Sequence, residues 1–259
     1  MFGVVPRTLW ARVCPPDEQN RIRLNMNCVV IDTGDERVLI ETGIGEKWSA
    51  KHTEMFGITR RRALGESLRA IGVEPDSISI VVNTHLHFDH AGGNTMLNAD
   101  GHAVPAFSNA RYFVSRGELE HAESPTERDR ASYVSENWQP LVASGQLEMK
   151  EPDYEVAPGL RMETYAGHNR TMQCWRLERD GQTLFGFADL VPTRAHVPLA
   201  WIMGYDLYPA ETLEVKKRLL PQAAREGWAC LFYHDPDEPL CKLFEEDNKL
   251  RALPVARSS

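Results

Sequence analysis

The sequence predicts an α+β fold, with strands and helices interleaved in one domain spanning residues 1–259. Three observations carry this. Short runs rich in β-branched residues, such as Ile78–Val82, alternate with segments of helical period. Neither an internal repeat nor a linker long enough to separate domains interrupts them. Several apolar runs end directly on histidine or aspartate, placing reactive side chains at the rim of a sheet.

Taken in order, residues 22–31 (IRLNMNCVVI) and 37–41 (RVLIE) read as strands joined by the polar turn Asp32-Thr33-Gly34-Asp35. The following TGIGEKW is a loop without the GxxxxGK[ST] order of a phosphate loop. Ala63, Leu64, Ser67, Leu68 and Ile71 share one face of a helix over 60–71 that ends before Gly72. Arg60, Arg61 and Arg62, the one dense basic run, read as solvated helix surface, with an anion contact as the alternative. After the Ile78–Val82 strand, residues 115–143 turn helical. Ser115 with Glu118, and Ser124 with Pro125 and Glu127, resemble capping arrangements. Tyr133 and Trp138 line this insertion, either packing inward or facing a site. Strands resume at 160–165, and Asp180-Gly181 predicts a hairpin between 173–178 and 182–188. A helix over 211–225 allows a Glu214–Arg218 pair, and Pro221 is expected to kink or divide it. Residues 228–233 (WACLFY) form the last strand.

Composition narrows the function. The 259 residues carry 29 Lys+Arg against 37 Asp+Glu, a net charge of −8, which argues against nucleic-acid binding. Five cysteines without CxxC spacing, no signal-like segment and no run of 18 apolar residues fit a cytoplasmic protein that does not enter a membrane.

The chemistry concentrates in Asn83–Gly93, NTHLHFDHAGG, where His85, His87, Asp89 and His90 fall within six residues. In an extended segment residues two apart share a face, so His85, His87 and Asp89 point alike. A mixed imidazole–carboxylate set without paired cysteines suits zinc, manganese, iron or cobalt at a reactive site rather than a structural zinc module. His168, Asp189 and His234 each follow an apolar strand and are further ligand candidates. His52, His102 and His121 lack such a strand and read as surface residues.

THLHFDHAGG resembles the HxHxDH signature of the metallo-β-lactamase-fold hydrolases, and His168, Asp189 and His234 match that family's remaining ligands in order. The resemblance spans residues 20–240. It implies a four-layer αββα sandwich with two divalent metal ions at one edge, zinc first and Mn2+, Fe2+ or Co2+ as alternatives. It assigns His85, His87 and His168 to one ion, Asp89, His90 and His234 to the other, and Asp189 as the bridge. Imidazole at His87, where the family's diiron redox branch has glutamate, favours hydrolysis. The presence of Asp189, which the β-lactam-cleaving branch lacks, disfavours antibiotic cleavage.

MFGVVPRTLW, NRIRLNMNCVVI and FYHDP are similar to the acyl-homoserine-lactone lactonase branch. The implied reaction is attack of a metal-bridging hydroxide on an ester or lactone carbonyl, with Asp89 as a ligand that also steers a proton. Relatives of that branch carry a tyrosine shortly after the bridging aspartate; here none occurs before Tyr205. His196 is the nearest substitute as a catalytic donor, with packing as its other role. Tyr205, Asp206 and Tyr208 are further candidates, equally explained by a turn at Pro209. The alternatives are a phosphotriesterase and a glyoxalase II-like thioesterase, the latter opposed by the acidic tail DPDEP…FEEDN. A nuclease would want a basic track, and an inactive scaffold would not need seven intact ligand positions. The expected partner is a small ester or lactone, and the expected assembly a homodimer. Relatives of this type carry a strand upstream of the segment matching Met1–Pro6, which leads to the expectation of a missing edge strand or an earlier natural start.

Overall fold

The apolar runs become strands, several of them shorter than the hydrophobic stretch that announces them. The computed structural model describes residues 1–59 and 62–255, so Arg60 and Arg61 of the basic run lie outside the described residues. The backbone groups into two units, residues 28–151 and residues 1–27 with 152–259.

In the 28–151 unit a five-stranded sheet runs in the order Val29–Asp32, Arg37–Ile40, Ile80–Val82, Arg111–Ser115, Leu147–Lys150. Only its first pair is antiparallel; the others run parallel. Ile80–Val82 lies in the middle, bonded on both sides and buried along its length. That is why it reads as a continuous apolar run rather than an alternating one. Leu39, Ile78, Val81, Tyr112 and Leu141 pack together on this sheet. The central strand is the root from which NTHLHFDH departs.

The insertion is helical in part. Ser115 caps the helix Arg116–Glu123, its Oγ accepting the Glu118 N–H at 3.2 Å, as the sequence predicts. No helix begins at Ser124: residues 125–138 form turns, and the next helix is Gln139–Ser144 with proline in its first turn. Tyr133 and Trp138 pack inward with Leu86, Val114 and Leu119. His121, expected at the surface, is only partly exposed, and its Nε2 lies 2.6 Å from the buried Asp129 carboxylate.

In the other unit seven strands follow the order Lys249–Pro254, Leu240–Glu246, Ala229–Leu231, Gln182–Gly186, Gln173–Arg179, Leu160–Thr164, Glu155–Ala157. The predicted hairpin is present, with Asp180 at φ 50° and Gly181 at φ 73°, the left-handed pair a tight turn requires. The sequence reading missed the last two strands. Their signal was CKLFEE and KLRALP around Asp247-Asn248, which adopt φ 51° and 57°. The helix Pro209–Glu226 is a single element despite Pro221, since the carbonyl that proline frees belongs to the exposed Lys217. Glu214 pairs with Lys217 at 2.7 Å rather than with Arg218. Phe185, Phe187, Leu220, Trp228 and Phe232 form the core. Residues 22–27 do not join a sheet, residues 1–6, expected as a strand-like approach, form a turn instead, and the helix Arg7–Val13 follows. Among the described residues no helix is long and apolar enough to cross a membrane.

Candidate metal centre

The chain leaves the central strand at Val82, and Asn83 extends its ladder by one bond to Phe113 O at 3.1 Å. His85 follows, fully buried, with its Nδ1 3.0 Å from Thr84 Oγ1. His87 starts the short helix Phe88–Ala91, which carries Asp89 and His90. The His85 ring lies 4.5 Å from that of His87 and 4.0 Å from that of His90, centroid to centroid. All four predicted residues of this segment are therefore brought together, Asp89 half-buried and the three imidazoles buried. The turn after them needs Gly92 and Gly93. A Cβ on Gly92 would come within 2.3 Å of Ile44 O, and one on Gly93 within 2.3 Å of Thr42 O. Lys47 closes the turn by donating to Gly92 O at 2.6 Å and Thr95 O at 2.9 Å, and burial pushes its ammonium down to about 8.

Glu41 is a functional residue the sequence reading passed over as a strand end. Buried and at φ 64°, it accepts the Thr84 N–H at 3.0 Å and a close hydrogen bond from the Thr84 hydroxyl. Its Oε1 is 3.3 Å from His90 Nδ1, and its Oε2 accepts from Asn83 at 3.3 Å. Its oxygens thus tie Thr84 and Asn83 together beside His90, and with His85 and His90 it forms one of the groups whose ligand atoms lie close enough to hold a cation. The signal was an acidic residue directly after the buried apolar run Val38–Ile40, a placement that solvation does not explain.

In the other unit His168, Asp189 and His234 are also brought together. Asp189 Oδ2 lies 3.5 Å from His168 Nε2, and Oδ1 lies 3.2 Å from His234 Nε2. The chain aims this carboxylate through Ala188, a non-glycine residue at φ 47°, the kind of strain that tends to collect at functional sites. His168 Nδ1 is 3.1 Å from Asp206 Oδ1, and Asp206 Oδ2 accepts the Thr212 hydroxyl at 2.6 Å. His234 Nδ1 is 2.9 Å from Asn25 O. Asn27 grips the same loop, donating to Tyr233 O and Asp235 O at 2.9 and 2.8 Å. Residues 22–27 thus spend their backbone and amide groups on the His234 loop, which is why they form no ladder. Burial alone would raise the Asp235 carboxyl, but hydrogen bonds from Arg194 and backbone N–H groups hold it below the usual carboxylate range.

The donor chemistry fits divalent metal ions. Each of His85, His168 and His234 has an oxygen within hydrogen-bond reach of Nδ1, the arrangement that fixes a ligating imidazole with Nε2 as its metal donor, and His90 Nδ1 lies 3.3 Å from the Glu41 carboxylate. One carboxylate with an oxygen toward each of two imidazoles is suited to a bridging position. Substituting Asp206→Ala should weaken metal retention about 10–100-fold, the usual cost of losing a partner that orients a ligand; competition with a chromophoric chelator measures it.

His196 sits apart from this pattern. It is buried, its ring stacks on Phe2 at 4.7 Å, Nδ1 lies 2.8 Å from Thr193 Oγ1 and Nε2 3.4 Å from Met1 O. That environment favours the packing role over proton donation to a substrate. Burial pushes its pKa down to about 3. Because the unfolded chain then holds the proton more tightly, stability is full above about pH 6.5 and falls as pH drops toward 3. Acid unfolding followed by circular dichroism should show this loss, and a His196→Gln variant should flatten it across that window. Tyr205, the first tyrosine after Asp189, is exposed.

The Metallo-beta-lactamase superfamily model matches residues 22–234. An N-acyl homoserine lactonase of Bacillus thuringiensis is 30% identical over 244 residues, covering 87% of this chain and 87% of its own length. The crystal structure of a probable metal-dependent hydrolase from Staphylococcus aureus superposes with a TM-score of 0.89 at 30% identity, covering 100% of this chain and 92% of its own. A structure of N-acyl homoserine lactone hydrolase, with the product N-hexanoyl-L-homoserine bound at its catalytic metal centre, gives a TM-score of 0.63 at 26% identity. It covers 83% of this chain and 82% of its own. The expected fold class, α+β with the metallo-β-lactamase fold, is the one these matches show.

Proposed function

This chain belongs to the metallo-β-lactamase superfamily and is a metal-dependent hydrolase, and from that premise we propose that it opens the lactone ring of N-acyl homoserine lactones at a two-zinc centre. The observation that carries the reading is Asp189, whose two oxygens face two different imidazoles, joined to the lactonase names of the relatives. His85, His87 and His168 are assigned to one ion, Asp89, His90 and His234 to the other, with Asp189 shared. When bound, the ions supply Lewis-acid polarisation of the carbonyl and a nucleophile from water at neutral pH. The chain's own groups do the rest. Asp189 fixes spacing, and Glu41 and Asp206 hold imidazoles in orientation. Asp89, the half-buried member of its segment, steers the proton toward the departing alkoxide. His196 is assigned to holding Phe2 and the 193–196 turn in place.

An acyl chain needs an apolar wall near the ligands. Phe88 follows His87 directly and packs with Trp48 at 5.2 Å and Phe56 at 5.5 Å, and Phe56 stays 44% exposed. Such a partly open aromatic group favours an alkyl amide over a compact phosphotriester.

The test is hydrolysis by metal-quantified protein across acyl-homoserine lactones, aryl esters, a phosphotriester, a β-lactam and a glutathione thioester. The expected result is a kcat/KM for a lactone at least about 100-fold above the non-lactone carbonyl and phosphorus substrates. A phosphotriester or thioester leading the panel would replace the reading.

A further inference from the structure

Glu118 is a fully buried carboxylate, and solvation gives no reason for it there. It stands in the first turn of the helix Arg116–Glu123, held by the Ser115 cap. Its Oε1 accepts two hydrogen bonds, from the backbone N–H of Leu86 at 2.8 Å and from the Tyr133 hydroxyl at 3.1 Å. Leu86 is the residue between His85 and His87. Tyr133 is the second contact point. Its ring stands edge-on to the His87 ring at 4.7 Å, and the two residues form an antiparallel backbone bridge. Tyr133 is braced in turn by His121, whose ring lies 5.5 Å away and whose Nε2 is 2.6 Å from Asp129 Oδ2; Thr126 donates to the other oxygen of Asp129 at 2.6 Å.

We propose that Glu118 is a positioning residue for the metal centre: with Tyr133 it fixes the backbone between His85 and His87 and so sets the angle at which the two imidazoles meet their ion. The inference rests on the metal-ligand reading given above and adds to it. Two histidines separated by one residue share a face only while the peptide between them stays extended. The Leu86 N–H is held at 2.8 Å by the Glu118 oxygen, and the length of that side chain sets where the oxygen stands. The insertion over 115–133 is thereby a bracket for the ligand pair, which accounts for a buried acid, a buried tyrosine and a paired histidine in one loop-rich segment.

The experiment measures stepwise zinc affinities of the metal-free full chain, by competition with chromophoric chelators, for wild type and the variants Glu118→Ala, Glu118→Asp, Glu118→Gln and His85→Ala. Reach is the variable that matters. Glutamine keeps an oxygen where Leu86 N–H needs it, and its affinities are expected near wild type. Aspartate keeps the charge but falls one methylene short. Aspartate and alanine are expected to weaken the equivalent lost in His85→Ala by about 10–100-fold and to leave the other equivalent unchanged. A merely structural carboxylate would lower the unfolding temperature of the metal-free protein and weaken both equivalents alike, which would overturn the proposal. So would the reverse order, with aspartate near wild type and glutamine impaired. If alanine yields no folded protein, the aspartate–glutamine contrast decides. Wild type that binds fewer than two ions, or His85→Ala that binds as many as wild type, would overturn the metal reading itself, an outcome distinct from a failure of Glu118 alone.

Discussion

Asp189→Ala is expected to cut lactone hydrolysis by at least about 1,000-fold, corresponding to about 4 kcal/mol of lost transition-state stabilisation. Its carboxylate offers one oxygen to His168 and the other to His234, at 3.5 and 3.2 Å. On the proposed assignment its removal would leave two imidazoles without a shared carboxylate and two cations without the negative charge that keeps them close. Bound metal should fall below two equivalents per chain by plasma emission analysis. His85→Ala should act similarly from the other segment, because that buried ring packs against both His87 and His90. Full activity with normal metal content in either variant would defeat the ligand assignment.

Lys216→Met is expected to lower stability by about 3–5 kcal/mol, because several buried carbonyls lose their shared donor at about 1–3 kcal/mol each, offset in part by relief of the buried ammonium. The Lys216 ammonium is buried and donates to four main-chain carbonyls, those of His196, Pro198, Leu199 and Trp201, at 2.6 to 3.3 Å. Methionine matches the stem but supplies no proton, so those carbonyls lose their donor. In a chain of this size the loss corresponds to a fall of about 10 °C or more in Tm, and calorimetry measures it. The effect should reach function as well. Lys216 is one helical turn beyond Thr212, which holds Asp206 and through it His168, so both residues of one helix face secure the loop between Asp189 and Asp206. A Tm within about 2 °C of wild type would show that the loop does not depend on this ammonium; the threshold is about 1 kcal/mol.

How far the sequence reaches is visible in particular residues. The HxHxDH segment could be read directly because its candidate ligands are local: spacing along one extended stretch fixes which side chains share a face. His168, Asp189 and His234 were legible as strand ends, since an apolar run that stops at a titratable residue puts that side chain at the rim of a sheet, where it can act. What escaped were residues whose role is set by long-range contact. Glu41 and Glu118 look like an ordinary strand end and an ordinary helix residue, and only the fold places their oxygens on Thr84 and on Leu86. Asn25 and Asn27 sit in an apolar run that reads as a strand, yet their bonds go to a loop more than 200 residues away in sequence. His196 stands in the sequence as a donor candidate or a packing residue, and only the fold shows that its ring is enclosed by Phe2, Thr193 and Met1. Pro221 shows the limit of a local rule: the helix absorbs it because the bond it breaks faces water.

The central claim is that activity requires two metal ions per chain. Zinc titration of metal-free protein, with lactone hydrolysis and bound zinc followed in the same samples, tests it most directly. Activity should rise to its plateau only as the second equivalent binds. Full activity at one equivalent, or hydrolysis that persists in zinc-free protein, would contradict it.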